Sequence, residues 1–262
     1  MKIKKKHPRY ASLMLREKIA QGVEKGITSF AGLAAHGRGE AFDYLVGEKT
    51  TESAKKSIRA AAAMLLLAKH PVISVNGNTA ALIPKEIVQL SKSIPAKIEV
   101  NIFHASKKRE SKIKAHLLKN GAKEVLLPEN VAIKYISSNR KYVNPEGILK
   151  ADVVFVPLED GDRAGALLKN RKKAIVIDLN PMSRSAKSAT ITIVDNISRA
   201  VPSITNMIGQ YKKYDKAKLN KIIMGYNNKK ELKEALKAIN KNLGKISKTT
   251  HSGLLFPSKK GK

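Results

Sequence analysis

Cysteine is absent from the 262-residue sequence. That removes disulfides, thiolate zinc sites and cysteine nucleophiles together. Long apolar runs are missing too. The best candidate, AAAAMLLLAKHP, is too short for a bilayer and is flanked by basic residues and a proline. The basic start MKIKKKHPRY is not followed by the apolar core of a secretory signal. We therefore expect a cytoplasmic protein without a membrane span. Acidic side chains are scarce: 21 Asp and Glu face 51 Lys and Arg, a formal net charge of +30. Such a balance attracts anions of any kind.

What is present divides unevenly. Hydrophobic residues make up 42%, enough for a sizeable core. From Tyr211 to Lys262 fifteen lysines stand against three acids, and Lys2, Lys4, Lys5, Lys6 and Arg9 form a second basic group. Lysine outnumbers arginine, and the tail holds few aromatics. A base-reading surface favours arginine forks and stacking platforms. A solvated lysine surface is thus favoured over a nucleic-acid site, and a basic nucleic-acid-binding protein is the alternative reading.

Five short apolar runs read as strands buried on both faces: Pro71 to Val75, Lys97 to Phe103, Asp152 to Pro157, Ala174 to Asp178 and Thr190 to Asp195. KEVLL is a weaker sixth. Helical spacing fills the gaps, as in Ile197, Val201, Ile204 and Ile208. The alternation predicts an α/β fold, a parallel sheet with helices on both faces, over residues 71–210. Residues 1–70 read as a helical region packed on that core, with helices over Tyr10 to Lys25, Ser29 to Val46 and Thr51 to Lys69, the last capped by Thr50 or Thr51. Residues 211–262 read as a basic helix and tail. Leu232, Leu236, Ile239 and Leu243 share one face of that helix, with Gly244 placed to end it.

Ligands of open parallel sheets sit beyond the carboxyl ends of the strands. The sequence there reads NGNTAAL after Val75, LEDGDRAGAL after Pro157, LNPMSRSAK after Asp178 and NISRAVP after Asp195. Each loop alone reads as a turn or cap. Together, at successive strand ends, they favour a common anionic ligand. Neither a P-loop nor a G-x-G-x-x-G follows any strand, which argues against a nicotinamide-dependent oxidoreductase. His36, His70 and His104 lack metal-ligand spacing. In AHGRGEAFDYLVGEKT, Arg38 fits equally a phosphate clamp or a polar turn. Glu40, Asp43, Glu48 and Lys49 fit either substrate contacts or local ion pairs.

HPRYASLMLREKIAQGVEKGITSFAGLAAHGRGEAFDYLVGEKTTESA, KHPVISVNGN, VPLEDGDR and IDLNPMSRSAKSATITIVDNI occur together and in order. Over about His7 to Ile208 the sequence resembles the archaeal phosphopantothenate synthetase (4-phosphopantoate–β-alanine ligase) family. The likeness is loosest between Ser106 and Leu149 and in the tail. It implies a Rossmann-like, homodimeric enzyme of coenzyme A biosynthesis, condensing 4-phosphopantoate with β-alanine and converting ATP to AMP and diphosphate. It implies ATP contacts at Arg16, Arg38, Asp178, Leu179, Asn180, Arg184, Ser185, Asn196 and Ile197. The expected route is an acyl adenylate, with Arg16, Arg38 and Arg184 stabilising the transferring phosphoryl group and Mg²⁺ bridging the phosphates. Phosphopantoate is expected at Asn76, Gly77 and Asn78. Glu159, Asp160, Asp162 and Arg163 are further candidates for substrate, β-alanine or metal.

Overall fold

The structure, a computed structural model, describes residues 4–159, 161 and 163–252. Three helices come first: α1 (Tyr10–Glu24), α2 (Phe30–Val46) and α3 (Glu52–Leu67). Ser29 caps α2 by accepting from Gly32 N, and Gly47 ends it at φ 89°, a left-handed position that suits glycine. Thr51, rather than Thr50, caps α3 by accepting from Ala54 N at 3.2 Å. The HGRGE segment is therefore not a turn: α2 runs through it without a break.

The chain then alternates. β1 (Pro71–Val75) leads through α4 (Gly77–Leu82) and α5 (Pro84–Ser93) to β2 (Lys97–Val100), followed by α6 (Lys107–Lys119). A small ribbon, β3 (Val131–Ala132) with β4 (Tyr142–Val143), and an irregular helical turn over Pro145–Leu149 intervene. β5 (Val153–Pro157), α7 (Arg163–Lys169), β6 (Lys173–Ile177), α8 (Arg184–Ser188) and β7 (Ile191–Ile193) follow, then α9 (Ile197–Tyr211), α10 (Lys216–Met224) and α11 (Asn228–Ser252). The main sheet has five strands, all parallel, in the order β2-β1-β5-β6-β7, a Rossmann-like arrangement. Strand order reverses between β1 and β5, and a ligand crevice belongs at that switch point.

Both faces of the sheet are covered, which is why its strands read as continuous apolar runs. Val153 and Phe155 of β5 pack into one layer with α3, α5 and α9, while Val154 and Val156 pack into the other with α7. The predicted second strand is too long at its far end. It stops at Val100, because Asn101 turns its side chain to the carbonyls of Arg140 and Tyr142 at 3.2 and 3.1 Å. KEVLL contributes one bridge, Leu126 beside Glu99, and no strand. Gly244 does not end the last helix, which continues to Ser252. Its apolar side, Leu232, Ala235 and Ile239, packs on Val46, Ala186 and Val194. Among the described residues no helix is long and apolar enough to cross a membrane.

Candidate active site

All five carboxyl ends of the main sheet open into one cavity of about 550 Å³, which α2 walls from outside. That size suits a small-molecule site. β1 delivers Asn76, Gly77 and Asn78; β5 delivers Leu158 and Glu159; β6 delivers Asp178, Leu179 and Asn180; β7 delivers Asn196 and Ile197. From α2 come Gly32, His36, Arg38 and Gly39. Ten of the expected site residues, those from the four loops with Arg38, thus share one wall.

The NGN loop is fixed by its own side chains. Asn76 caps α4, accepting from Thr79 N at 2.9 Å, and donates to Leu158 O at 2.9 Å. Asn78 donates to Gly32 O at 2.8 Å and accepts from Thr28 Oγ1, which fastens α4 to the start of α2. A Cβ on Gly32 would collide with Thr28 Oγ1 and Asn78 Oδ1, so glycine permits this close approach. Leu158 has φ 57°, a costly backbone conformation for a branched residue, at the turn that aims Glu159 inward.

Glu159 lies 2% exposed between two arginines. Arg140 Nη1 donates to both its carboxylate oxygens, at 2.8 and 2.6 Å, and Arg163 Nε donates to Oε2 at 3.0 Å. Burial raises the Glu159 carboxyl, but Arg163 and Arg140 outweigh it and hold the group below the usual carboxylate range. Arg163 does not reach the cavity wall. It is buried one layer beneath, tied also to Ser74 Oγ at 3.0 Å and Asn101 Oδ1 at 2.5 Å. Asp160 and Asp162 lie outside the described residues.

At the loops after β6 and β7, burial pushes the Asp178 carboxyl up to about 6, against a hydrogen bond from Ser183 Oγ and another from Asn180 N at 2.9 Å. Asn196 caps α9, accepting from Ser198 N at 3.0 Å. Ser185 and Arg184 are not on the cavity wall. Ser185 is buried and donates to Gly161 O at 2.6 Å, which braces the β5–α7 turn, and Arg184 stands exposed at the start of α8. Arg16 of α1 is one residue removed: its Nε donates to Glu40 Oε2 at 2.7 Å, and Glu40 lines the cavity. Tyr44 Oη also donates to Glu40, at 2.6 Å.

Sequence reasoning missed Arg109, Arg140, Phe103 and His104, all of which line the cavity. His104 could have been found by reading the residues after β2 as the other four strand ends were read. Arg109 sits in the first turn of α6, where Ile113 and Leu117 mark the helix but nothing local marks the arginine, and Arg140 comes from a stretch without local periodicity. Among the described residues Arg140 Nε is buried with no hydrogen-bond partner, although its Nη1 is engaged. These two guanidiniums make one end of the cavity cationic, while Asp178 and Asn180 offer hydrogen-bond acceptors at another. Such a division suits a ligand with anionic groups at one end and hydroxyl or amino groups at the other.

A family model described as phosphopantothenate/pantothenate synthetase matches residues 53–242. The chain is 51% identical over 249 residues to the 4-phosphopantoate–beta-alanine ligase of Thermococcus onnurineus (strain NA1), covering 94% of this chain and 95% of that one. It is 50% identical over 247 residues to the protein of that name from Thermococcus kodakarensis, with 94% and 95% covered. With the Methanosarcina mazei ligase the identity is 50% over 244 residues, covering 93% and 96%.

Proposed function

The chain belongs to the phosphopantothenate/pantothenate synthetase family, and on that premise we propose that it joins 4-phosphopantoate to β-alanine through an acyl adenylate. Its place is in coenzyme A biosynthesis. In the first step a carboxylate oxygen of phosphopantoate attacks the α-phosphorus of ATP, and the bond to the β-phosphate oxygen breaks to release diphosphate. In the second, the neutral amine of β-alanine attacks the activated carbonyl. AMP leaves with the electron pair of the cleaved C–O bond, and the amine gives up a proton as the amide forms.

One observation carries this reading: one cavity at the β1/β5 switch point is lined both by the loops after β6 and β7 and by a separate cationic end. We place the nucleotide along Asp178 to Asn180 and Asn196 to Ile197, with Arg38 against its phosphates. The phosphopantoate phosphate we place at the end lined by Gly77, Arg109 and Arg140. Guanidiniums bind such oxygens bidentately and stay charged, so they stabilise negative charge that grows in the transition state. Arg16 would reach the nucleotide from its seat on Glu40, whereas Arg184 would have to swing in from the surface. No group of three or more His, Asp or Glu side chains gathers as a metal site among the described residues. We propose Mg²⁺ as the ion accompanying the nucleotide, held by its phosphates and by water. We expect the enzyme to work as a homodimer in the cytoplasm.

The test is an assay with ATP, 4-phosphopantoate and β-alanine. AMP and diphosphate are the expected products. Exchange of labelled diphosphate into ATP should require phosphopantoate but not β-alanine. Release of ADP would overturn the adenylate route. No turnover with either phosphopantoate or pantoate would overturn the assignment.

A further inference from the structure

The α2 wall and the β7–α9 loop face each other across the nucleotide end of the cavity, yet they lie far apart in sequence. A compact ionic knot joins them. Arg199, in the first turn of α9, donates from Nη2 to Asp43 Oδ1 at 2.5 Å and from Nη1 to Asp43 Oδ2 at 3.2 Å. Its Nε donates to Asp195 Oδ1 at 2.8 Å. Asn196 Nδ2 donates to the same Asp43 Oδ2 at 2.9 Å. Thr50, at the end of the α2–α3 connection, donates to Asp195 Oδ2 at 2.6 Å. Asp43 and Asp195 are both buried, and Arg199 is largely covered. Two carboxylates in one buried site are tolerated because one guanidinium satisfies both.

We propose that the Asp43–Arg199 pair is a positioning clasp for nucleotide binding: it holds Arg38 on α2 in register with Asn196 and Ile197 on the opposite side of the cavity. This rests on the proposed nucleotide reading. Neither Asp43 nor Arg199 lines the cavity, whereas the residues they carry do. Asp43 stands five residues after Arg38 on an unbroken helix, and it also grips Asn196 directly. Arg199 sits three residues beyond Asn196, whose Oδ1 is already committed to capping α9. A loosened clasp lets the two halves of the nucleotide site drift relative to each other, and misplacement by about 1 Å costs a bound geometry dearly. The cationic end, built from α6 and the β3–β4 region, does not depend on the clasp.

Asp43→Asn and Arg199→Gln should each weaken ATP binding by roughly 10- to 100-fold, read by calorimetry, while the KM for phosphopantoate stays within about twofold. Arg199→Lys, which keeps the charge, should recover part of the loss. The double variant should be no worse than the poorer single one, because both changes break one unit. Should Arg199→Gln fail to fold, Asp43→Asn decides, since it keeps the side-chain shape and one acceptor for Asn196. Unchanged ATP affinity in Asp43→Asn would overturn the clasp, as would equal losses for ATP and phosphopantoate. Wild-type protein that does not bind ATP would overturn the nucleotide reading beneath it.

Discussion

Arg38 stands in the middle of α2 with glycine on either side, exposed on the helix yet facing the cavity. Helices rarely place two glycines so close, because each costs about 0.5–1 kcal/mol relative to alanine. At Gly39 a Cβ would lie 3.7 Å from Leu179 Cδ1, an ordinary contact on the cavity side. The arginine thus projects from a helix whose two neighbouring positions carry no side chain. Arg38→Ala should lower kcat/KM by about 100-fold or more and leave the protein folded, with a cooperative unfolding transition. Steady-state kinetics and urea unfolding on the same preparation check both halves. Near-normal turnover would remove Arg38 from the site. Glu40, by contrast, belongs to Arg16: burial raises its carboxyl, but bonds from Arg16 and Tyr44 overcome this and hold it below the usual range.

At the scale of elements, two glycines of α2 should respond oppositely to the same change. A Cβ at Gly37 meets nothing within 4 Å, so Gly37→Ala should stabilise by about 0.5–1 kcal/mol through helix propensity. Gly32→Ala drives a methyl into the Thr28–Asn78 bond and should destabilise by about 1–3 kcal/mol. Thermal melts of the two variants decide it, and equal shifts would refute the close approach of α2 to α4. A second element depends on pH. Glu99 of β2 holds the irregular turn by accepting from Asn144 N at 3.0 Å and Ile148 N at 2.6 Å, and burial, outweighing these donors, pushes its carboxyl up to about 7. Its ordinary value is 4.5, so between about 4.5 and 7 the folded protein keeps a proton that the unfolded chain has lost. That contribution is present below the lower value and lost as pH rises through the upper one. His36 and His116, lowered chiefly by burial, act in the opposite sense toward neutral pH, so the wild-type slope alone does not isolate Glu99. The difference does: Glu99→Gln should gain on wild type by on the order of 2 kcal/mol between pH 5 and pH 8. A pH-independent difference would show that Glu99 titrates normally. This same region explains what the sequence hid. β1, β5, β6 and β7 were legible because burial on both faces writes an apolar run. Beyond α6, the stretch from Asn120 to Leu149 has two-residue strands and a turn held by distant side chains, Glu99 and Lys172 among them, so no local period marks it. Arg140 was invisible for that reason, and Arg109 because a basic residue in the first turn of a lysine-rich helix reads as solvated surface. Arg163 misled because its neighbours LEDGD look like a surface loop, while its actual partners, Ser74 and Asn101, lie on and beyond other strands.

Over the whole molecule, the net charge of +30 has two consequences that salt should separate. On α11 the lysines at 229, 233, 237 and 241 are exposed along one side, while the opposite side is buried against α2 and α8. Like charges four residues apart on a helix repel, and acids to offset them are few. The fold therefore carries self-repulsion that these acids offset only in part, and it acts through solvent and is open to screening. The same field draws anionic substrates toward a cavity already lined by Arg38, Arg109 and Arg140. Screening length shortens from about 10 Å at 0.1 M salt to about 3 Å at 1 M. Sodium chloride over that range should raise the melting temperature, because repulsion among lysines is weakened more than the few exposed ion pairs, such as Lys55–Glu52 and Lys237–Glu234. It should also lower kcat/KM for ATP several-fold, because long-range attraction of the polyanion is lost. The buried Glu159 and Asp43 pairs, shielded from ions, should contribute little to either trend. A melting temperature that falls with salt would mean that surface ion pairs outweigh the lysine repulsion. A salt-independent kcat/KM would mean that the cavity's own arginines, and not the field of the whole chain, govern capture of the nucleotide.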